Sequence, residues 1–356
     1  MTDTILATLE DLNRRAQLAL QRENRSTAQE RWRELLDKVP APQDEKPLPE
    51  PASAQHVLAA QACFSLQQSL DEADNELEDD DEDKEAEGAN TRPEQIALLR
   101  RALSHAQVLY QPTTAQSDLE AGLIRATLAS LLLPTPPTSV DALPAESAKE
   151  LFDLALQSIK SASTKRKNEL LTALRPTAAG QSNTNKKESQ DIAGSLQVIY
   201  DAPSSHFIHL AQDLPLEELD ALAKSIHAFF DDQVPGSMGA LGKAETALNM
   251  GEVLVDKIED EEEDAESGKG DPRRVEQIKD LARGWLQQAV KLFEQAQSQA
   301  PASQTDELNF QLGHALSLLH DVTPSESHEA HKLAEKMEAL GISVDDDEWE
   351  DEEDED

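Results

Sequence analysis

An all-α fold of helical hairpins stacked as a solenoid, carrying acidic loops and an acidic, disordered C-terminal tail, is what this 356-residue sequence predicts. Three observations predict it. Apolar residues recur at spacings of three and four in segment after segment, as in helices that bury one face. Alternation of β-branched residues over a strand length is hard to find, and aromatic residues make up only 3% of the chain, so strand signals are weak. Several apolar segments are set off from the next by a proline-rich or carboxylate-rich stretch, so the pattern of helix, interruption and helix recurs.

The first helical segment covers 1–40. Thr4 is a good cap, and Ile5, Leu9, Leu12, Ala16 and Ala19 follow at helical spacing, then a second set, Trp32, Leu35, Leu36 and Val39. Five prolines within 40–51 make 41–53 a linker. Hairpins with an acidic insertion at 71–91 are expected over 54–160. Val57, Leu58, Ala62, Phe64 and Leu66 mark the helix before the insertion. Pro93 opens the helix after it, with Ile96, Leu99, Leu103, Ala106 and Leu109. A helix over 117–133, a proline-rich loop over 134–144 and a partner helix over 146–159 follow, the last with Ala148, Phe152, Ala155 and Ile159 on one face.

Residues 161–239 are less regular and read as a bridging region. Helical stretches at 164–174 and 189–200 flank a polar loop at 175–187, and Pro215 opens a helix with Leu219, Leu222, Ile226, Phe229 and Phe230 on one face. The strongest repeat signal lies in 240–342. Ala289, Phe293, Ala296 and Pro301 have the spacing of the second helix of a tetratricopeptide unit, and Ala247, Met250, Gly251 and Leu254 that of the first. About 26 extra residues separate the halves, so an acidic insertion at 256–271 is expected to split the pair as a loop. A further pair carries Leu312, Gly313, Leu316 and Leu319, then Ala330, Leu333, Ala334 and Met337, and ends at Gly341. The acidic tail is 343–356.

Charge is concentrated. The formal net charge is −39, and residues 71–87, 256–266 and 345–356, with 12, 8 and 11 carboxylates, account for −29 of it. Nucleic acid is a poor partner for such a chain, because phosphate binding draws on Lys and Arg. Basic proteins are the natural complement, although acidic runs also occur simply as solvated loops and tails. Cys63 is the only cysteine, which excludes an intrachain disulfide and a cysteine-based zinc site and suits a reducing compartment. The first 20 residues lack a basic segment followed by an apolar one, and the most apolar stretch, 123–133, is short and contains Arg125. Neither secretion nor a membrane partner is expected.

Chemistry-bearing motifs are few. Gly236, Gly239 and Gly242 lack the context of a phosphate-binding loop, and no nucleophile elbow or kinase signature is present. No catalytic, cofactor-binding or metal-ligating residue is assigned. His206 with His209, and His328 with His331, could each present two imidazoles on one helical turn, but neither pair has an obvious third ligand. The carboxylate runs lack the order of a calcium loop. Lys165, Arg166 and Lys167, followed by Lys186 and Lys187, have the spacing of a loose bipartite nuclear-import signal and equally that of a solvated helix face and loop. Trp349 stands in the tail among carboxylates, where it could dock on an apolar spot of a basic partner or fold back onto the last helix.

The succession of helical pairs, the acidic interruption within 242–300 and the acidic end resemble the fungal enhancer-of-translation-termination family of tetratricopeptide-like nuclear regulators. The best-matching stretches are 95–109 and 240–300. The resemblance implies a non-enzymatic adaptor, nuclear and/or cytoplasmic, that binds a prolyl-hydroxylase-like 2-oxoglutarate oxygenase and influences translation termination or oxygen-dependent gene regulation. Members of that family tend to start with a short Lys- and Arg-rich segment, whereas this sequence starts Met1-Thr2-Asp3-Thr4. The alternative is an acidic, tetratricopeptide-like histone chaperone whose loops and tail shield histone charge.

Overall fold

A computed structural model describes residues 2–22, 24–42, 52–78, 92–107, 114–133, 148–173, 182–234, 236–266, 271–299 and 305–342. Among these residues the chain forms α-helices and no strand. The helices are α1 (Thr2–Leu20), α2 (Arg25–Lys38), α3 (Ala52–Glu78), α4 (Arg92–Gln107), α5 (Ala115–Leu132), α6 (Ala148–Ala173), α7 (Ser182–Ser205), α8 (Phe207–Leu210), α9 (Leu216–Gln233), α10 (Ser237–Glu266), α11 (Pro272–Gln299), α12 (Thr305–Asp321) and α13 (His328–Ala339). They divide into two compact units, 1–199 and 200–356, and the division falls within α7.

The first unit stacks three hairpins, α1/α2, α3/α4 and α5/α6. Within a hairpin the helices run antiparallel: in α3/α4, Gln67 donates to Gln95 at 3.1 Å at one end and His56 meets His105 at 2.6 Å at the other. Alternate helices run parallel. Arg33 pairs with Glu94 at 3.0 Å, and further along the same two helices Arg101 donates to the backbone oxygens of Leu36 and Val39. The guanidinium thereby caps the end of α2, adding to the bond that Leu36 O accepts from Val39 N–H at 3.3 Å. Leu9, Trp32, Leu35, Leu66, Leu99, Leu128, Phe152 and Ile159 are buried between the layers. Each such side chain contributes on the order of 1.5–3 kcal/mol by leaving water.

The second unit follows the same plan with α8/α9, α10/α11 and α12/α13. The tetratricopeptide-like spacing does what it predicts: Ala247, Met250 and Leu254 on α10 and Ala289, Phe293 and Ala296 on α11 are buried. Gly251 lets the helices close up, since a Cβ there would stand 2.2 Å from Leu286 Cδ2. The chain turns after α13 at Gly341, whose φ of 79° suits glycine. Ile342 then donates its N–H to Met337 O at 3.0 Å, the closing bond of a Schellman turn, and this brings its side chain over Gly313.

Four expectations change. The stretches 146–159 and 164–174 are one helix, α6, because Ala162 and Ser163 stay buried and carry the apolar face across the gap. The loop expected at 175–187 is helical from Ser182 onward, as α7, and that helix continues through Pro203 to Ser205. Residues 256–266 are not a loop. They are the last turns of α10, held by buried Ile258 and by Glu261–Arg274 and Glu262–Lys279 pairs at 2.8 and 2.6 Å across to α11. The extra residues of this hairpin therefore lengthen both helices, to 30 and 28 residues. Finally, α3 runs to Glu78, so the first part of 71–91 is helical too. Residues 43–51, 79–91, 134–147 and the tail 343–356 lie outside the described residues.

Candidate functional site: a polar face across the second unit

Alternate helices α8, α10 and α12 present a shared face built from the positions opposite the core stripe of α10. Glu245, Asn249 and Glu252 recur there at spacings of four and three. Glu252 stands between two imidazoles, with His209 Nε2 of α8 at 3.6 Å from one carboxylate oxygen and His314 Nδ1 of α12 at 3.5 Å from the other. Each contact is an ion pair only while the imidazole carries a proton. Two turns back, Ser204 donates its hydroxyl to Glu245 at 2.9 Å, and between them Asn249 donates to Ser204 O at 2.6 Å. Burial, with the Asp201 and Glu307 carboxylates nearby, holds Glu245 above the usual carboxylate range against the opposing pull of the Ser204 hydroxyl.

Beside His314 the face opens into an apolar groove of about 490 Å³ lined by Phe310, Gly313, His314, Ser317, Leu340 and Ile342, among others. Phe310 is 70% exposed, the most exposed of the large apolar side chains described. A carboxylate row and an apolar groove thus share His314.

Two buried histidines, His105 and His227, and the half-buried His56 lie elsewhere. His56 and His105 are joined Nδ1 to Nδ1, so one ring donates and the other accepts, and the accepting ring is neutral. Burial lowers both, and takes His105 to about 4 with help from His56 and Arg101. His227 is likewise held at about 4 by burial and by Lys243; it lies edge-on to Trp285, and its Nδ1 accepts from the Gln288 amide. Cys63 is buried and its thiol is pushed up to about 12, the state of an inert structural cysteine.

The residues singled out in sequence are placed as follows. His206 precedes α8 at its cap while His209 reaches Glu252, so this pair does not converge. His331 donates through Nδ1 to Ser327 O at 3.0 Å at the start of α13. Among the described residues no group of three or more His, Cys, Asp or Glu is arranged to hold a metal ion. Lys165 is paired with Asp118 and Arg166 with Glu169 along α6, and Lys186 and Lys187 lie on α7. Trp349 lies outside the described residues. No described helix is long and apolar enough to cross a membrane.

Sequence reading missed Glu245, Glu252, His314 and Phe310. The signal was present in α10, where polar residues recur at the positions opposite Ala247, Met250 and Leu254. The partners of Glu252 lie 43 and 62 positions away, on helices whose stacking order sets the contact.

Fold and face together define an all-helical protein of stacked hairpins. No protein-family model matches the chain, and no curated protein does. Among solved structures the chain is similar to the S. pombe nuclear import adaptor Nro1, at 12% identity and a TM-score of 0.40, over 98% of this chain and 97% of that one. A second Nro1 structure, described as that of a hypoxic regulator of sterol synthesis and nuclear import adaptor, aligns with the same identity and score over 98% and 92%. A third aligns at 12% identity and a TM-score of 0.38 over 96% and 93%.

Proposed function

We propose that the chain is a non-enzymatic, protein-binding adaptor, nuclear and/or cytoplasmic, that acts as a member of the translation-termination-enhancer type. Its partner in this reading is a prolyl-hydroxylase-like 2-oxoglutarate oxygenase or a translation termination factor. The observation that supports binding is the face shared by α8, α10 and α12: one carboxylate, Glu252, ties three successive layers together and leads directly into the groove at Phe310. Stacked hairpins extend such a row well beyond the needs of a small molecule, which is the geometry of a peptide-binding solenoid.

The histone-chaperone alternative relies on acidic segments free to shield cations. In α10, Glu261 and Glu262 already face Arg274 and Lys279 of the same molecule. Affinity capture from native extract with wild-type protein and a Glu252→Arg variant tests the adaptor reading. An oxygenase or a release factor recovered by the wild type and lost by the variant supports it. Core histones recovered equally by both at high salt would overturn it.

A further inference from the structure

We infer that the groove at Phe310 and the carboxylate row leading to it together dock an extended peptide segment that carries Lys or Arg side chains beside one apolar anchor. The inference rests on the adaptor reading and names the chemistry of its partner. The groove has the apolar character of an anchor site: Phe310 stands out into solvent, and Gly313, Leu340 and Ile342 form a surface without charge. Charge selects the occupant. Among the described residues Glu252 is paired with two imidazoles, and Glu245, a half-buried carboxylate that accepts from Ser204, has Asp201 and Glu307 as like-charged neighbours. An ammonium or guanidinium placed along this row offsets that repulsion in a partly desolvated setting, where an ion pair is worth more than in open water.

Among the described residues of α8, α10 and α12, no Lys or Arg lies on this face. Neither α8 nor α12 contains Lys or Arg. On α10, Lys243 and Lys257 stand about 180° and 140° around the helix from Glu252 at 3.6 residues per turn, and Lys243 is paired with Asp231 of α9. The chain's own segment after Ile342 starts at the groove, but it brings 11 carboxylates over 345–356 to a face that is already acidic. Like charges make it the poorer occupant.

The test uses three dye-labelled synthetic peptides of equal length, titrated into the full-length protein and followed by fluorescence anisotropy: a Lys/Arg peptide with a central Leu, the same peptide with Leu replaced by Ser, and the same peptide with Glu in place of every cation. The first should bind, with an affinity that falls as salt is raised. The Ser peptide should bind at least about ten-fold more weakly, as should the first peptide to a Phe310→Ser or a Glu252→Arg variant, because anchor side chains and close charges dominate such interfaces. Phe310→Ser is the decisive variant, since its exposed ring leaves the core intact, and an unchanged melting curve verifies that.

Preference for the Glu peptide, or equal binding of the first peptide by wild type and Phe310→Ser protein, would overturn the inference. So would an increase of about ten-fold or more on truncation after Ile342, which would assign the groove to the chain's own tail. Failure of the adaptor reading is distinguishable. If the wild type captures no cellular protein, the peptide affinities still stand; if only this inference fails, a captured partner survives Phe310→Ser.

Discussion

Two acidic runs with similar sequences, 71–87 and 256–266, have different surroundings in their hairpins. The run at 256–266 stays helical to its end, and its returning helix α11 starts at Pro272, only a few residues on. In the run at 71–87 the described part of α3 extends to Glu78, and α4 starts at Arg92. What separates them is the material around the carboxylates. On α10 the apolar stripe continues through Leu254 to Ile258 and meets Val275, Ile278 and Ala282 of α11, all buried. The same stretch of α11 brings Arg274 and Lys279 opposite Glu261 and Glu262. Beyond Leu70 the first run offers one large apolar residue, Leu77, with only Ala73 and Ala86 besides, and α4 returns with Arg92, Pro93, Glu94 and Gln95. The length of α10 follows its apolar seam, and the cations of α11 opposite Glu261 and Glu262 add a smaller, screened contribution.

The sharpest way to break this comparison is Ile258→Asp, which puts a carboxylate into the seam that carries the second run. A loss of about 3 kcal/mol or more is expected in chemical denaturation, because an unpaired buried charge is among the costliest changes a core can take. A smaller change would mean that charge pairing rather than the apolar seam holds the end of α10.

Acid comes next, and it tests the hairpins differently. His56 and His105 are held below the ordinary histidine value, His105 at about 4, so the unfolded chain binds more protons than the folded one between about 6.5 and 4. Their contribution is complete above pH 6.5 and is lost as pH falls towards 4. His227 of the second unit behaves in the same way. Glu245 has the opposite sign: its folded value is raised, so lowering the pH through it relieves a destabilising charge. Thermal melts across this range should show stability falling with acid, and His105→Gln should reduce the fall. A fall of the same size in that variant would remove the histidine pair as its cause.

Gly251→Ala is expected to cost about 1–3 kcal/mol by overpacking the α10/α11 crossing against Leu286, read as a lowered denaturation midpoint. The smallest effect belongs to the cations. Reversing Arg274 or Lys279 to Glu should cost about 1 kcal/mol or less each and diminish in high salt, since both pairs are partly exposed. A larger, salt-independent loss would mean that the pairs and not the seam set the helix end.

These outcomes bear on what the sequence can tell. Helical periodicity located the buried residues Leu9, Trp32, Ile96, Phe152, Phe229 and Phe293 because the 3.6-residue repeat is local. The repeat spacing around Ala289 likewise identified the α10/α11 hairpin. Helix ends were harder. A carboxylate run lowers local helix support, and only the partner helix, tens of residues away, shows whether that deficit is met, as Glu262 and Lys279 illustrate. The polar face was the least legible part. Glu252 sits at an unremarkable solvent position in its own helix and becomes part of a row only when α8 and α12 bring His209 and His314 to it.

The tryptophans give the molecule a built-in set of optical labels. Of the three in the chain, Trp32 is buried in the first unit with its indole N–H donated to Asn13, Trp285 is buried in the second with its indole N–H donated to Asp220, and Trp349 belongs to the tail sequence. With Trp349 replaced by Phe, intrinsic fluorescence comes from one emitter per unit. Replacing Trp285 by Phe as well leaves Trp32 alone, and its red shift on exposure to water then reports the melting of the first unit separately from the second. A ligand on the α8, α10 and α12 face could be assigned to its unit by the emitter whose unfolding it delays, without attaching any dye.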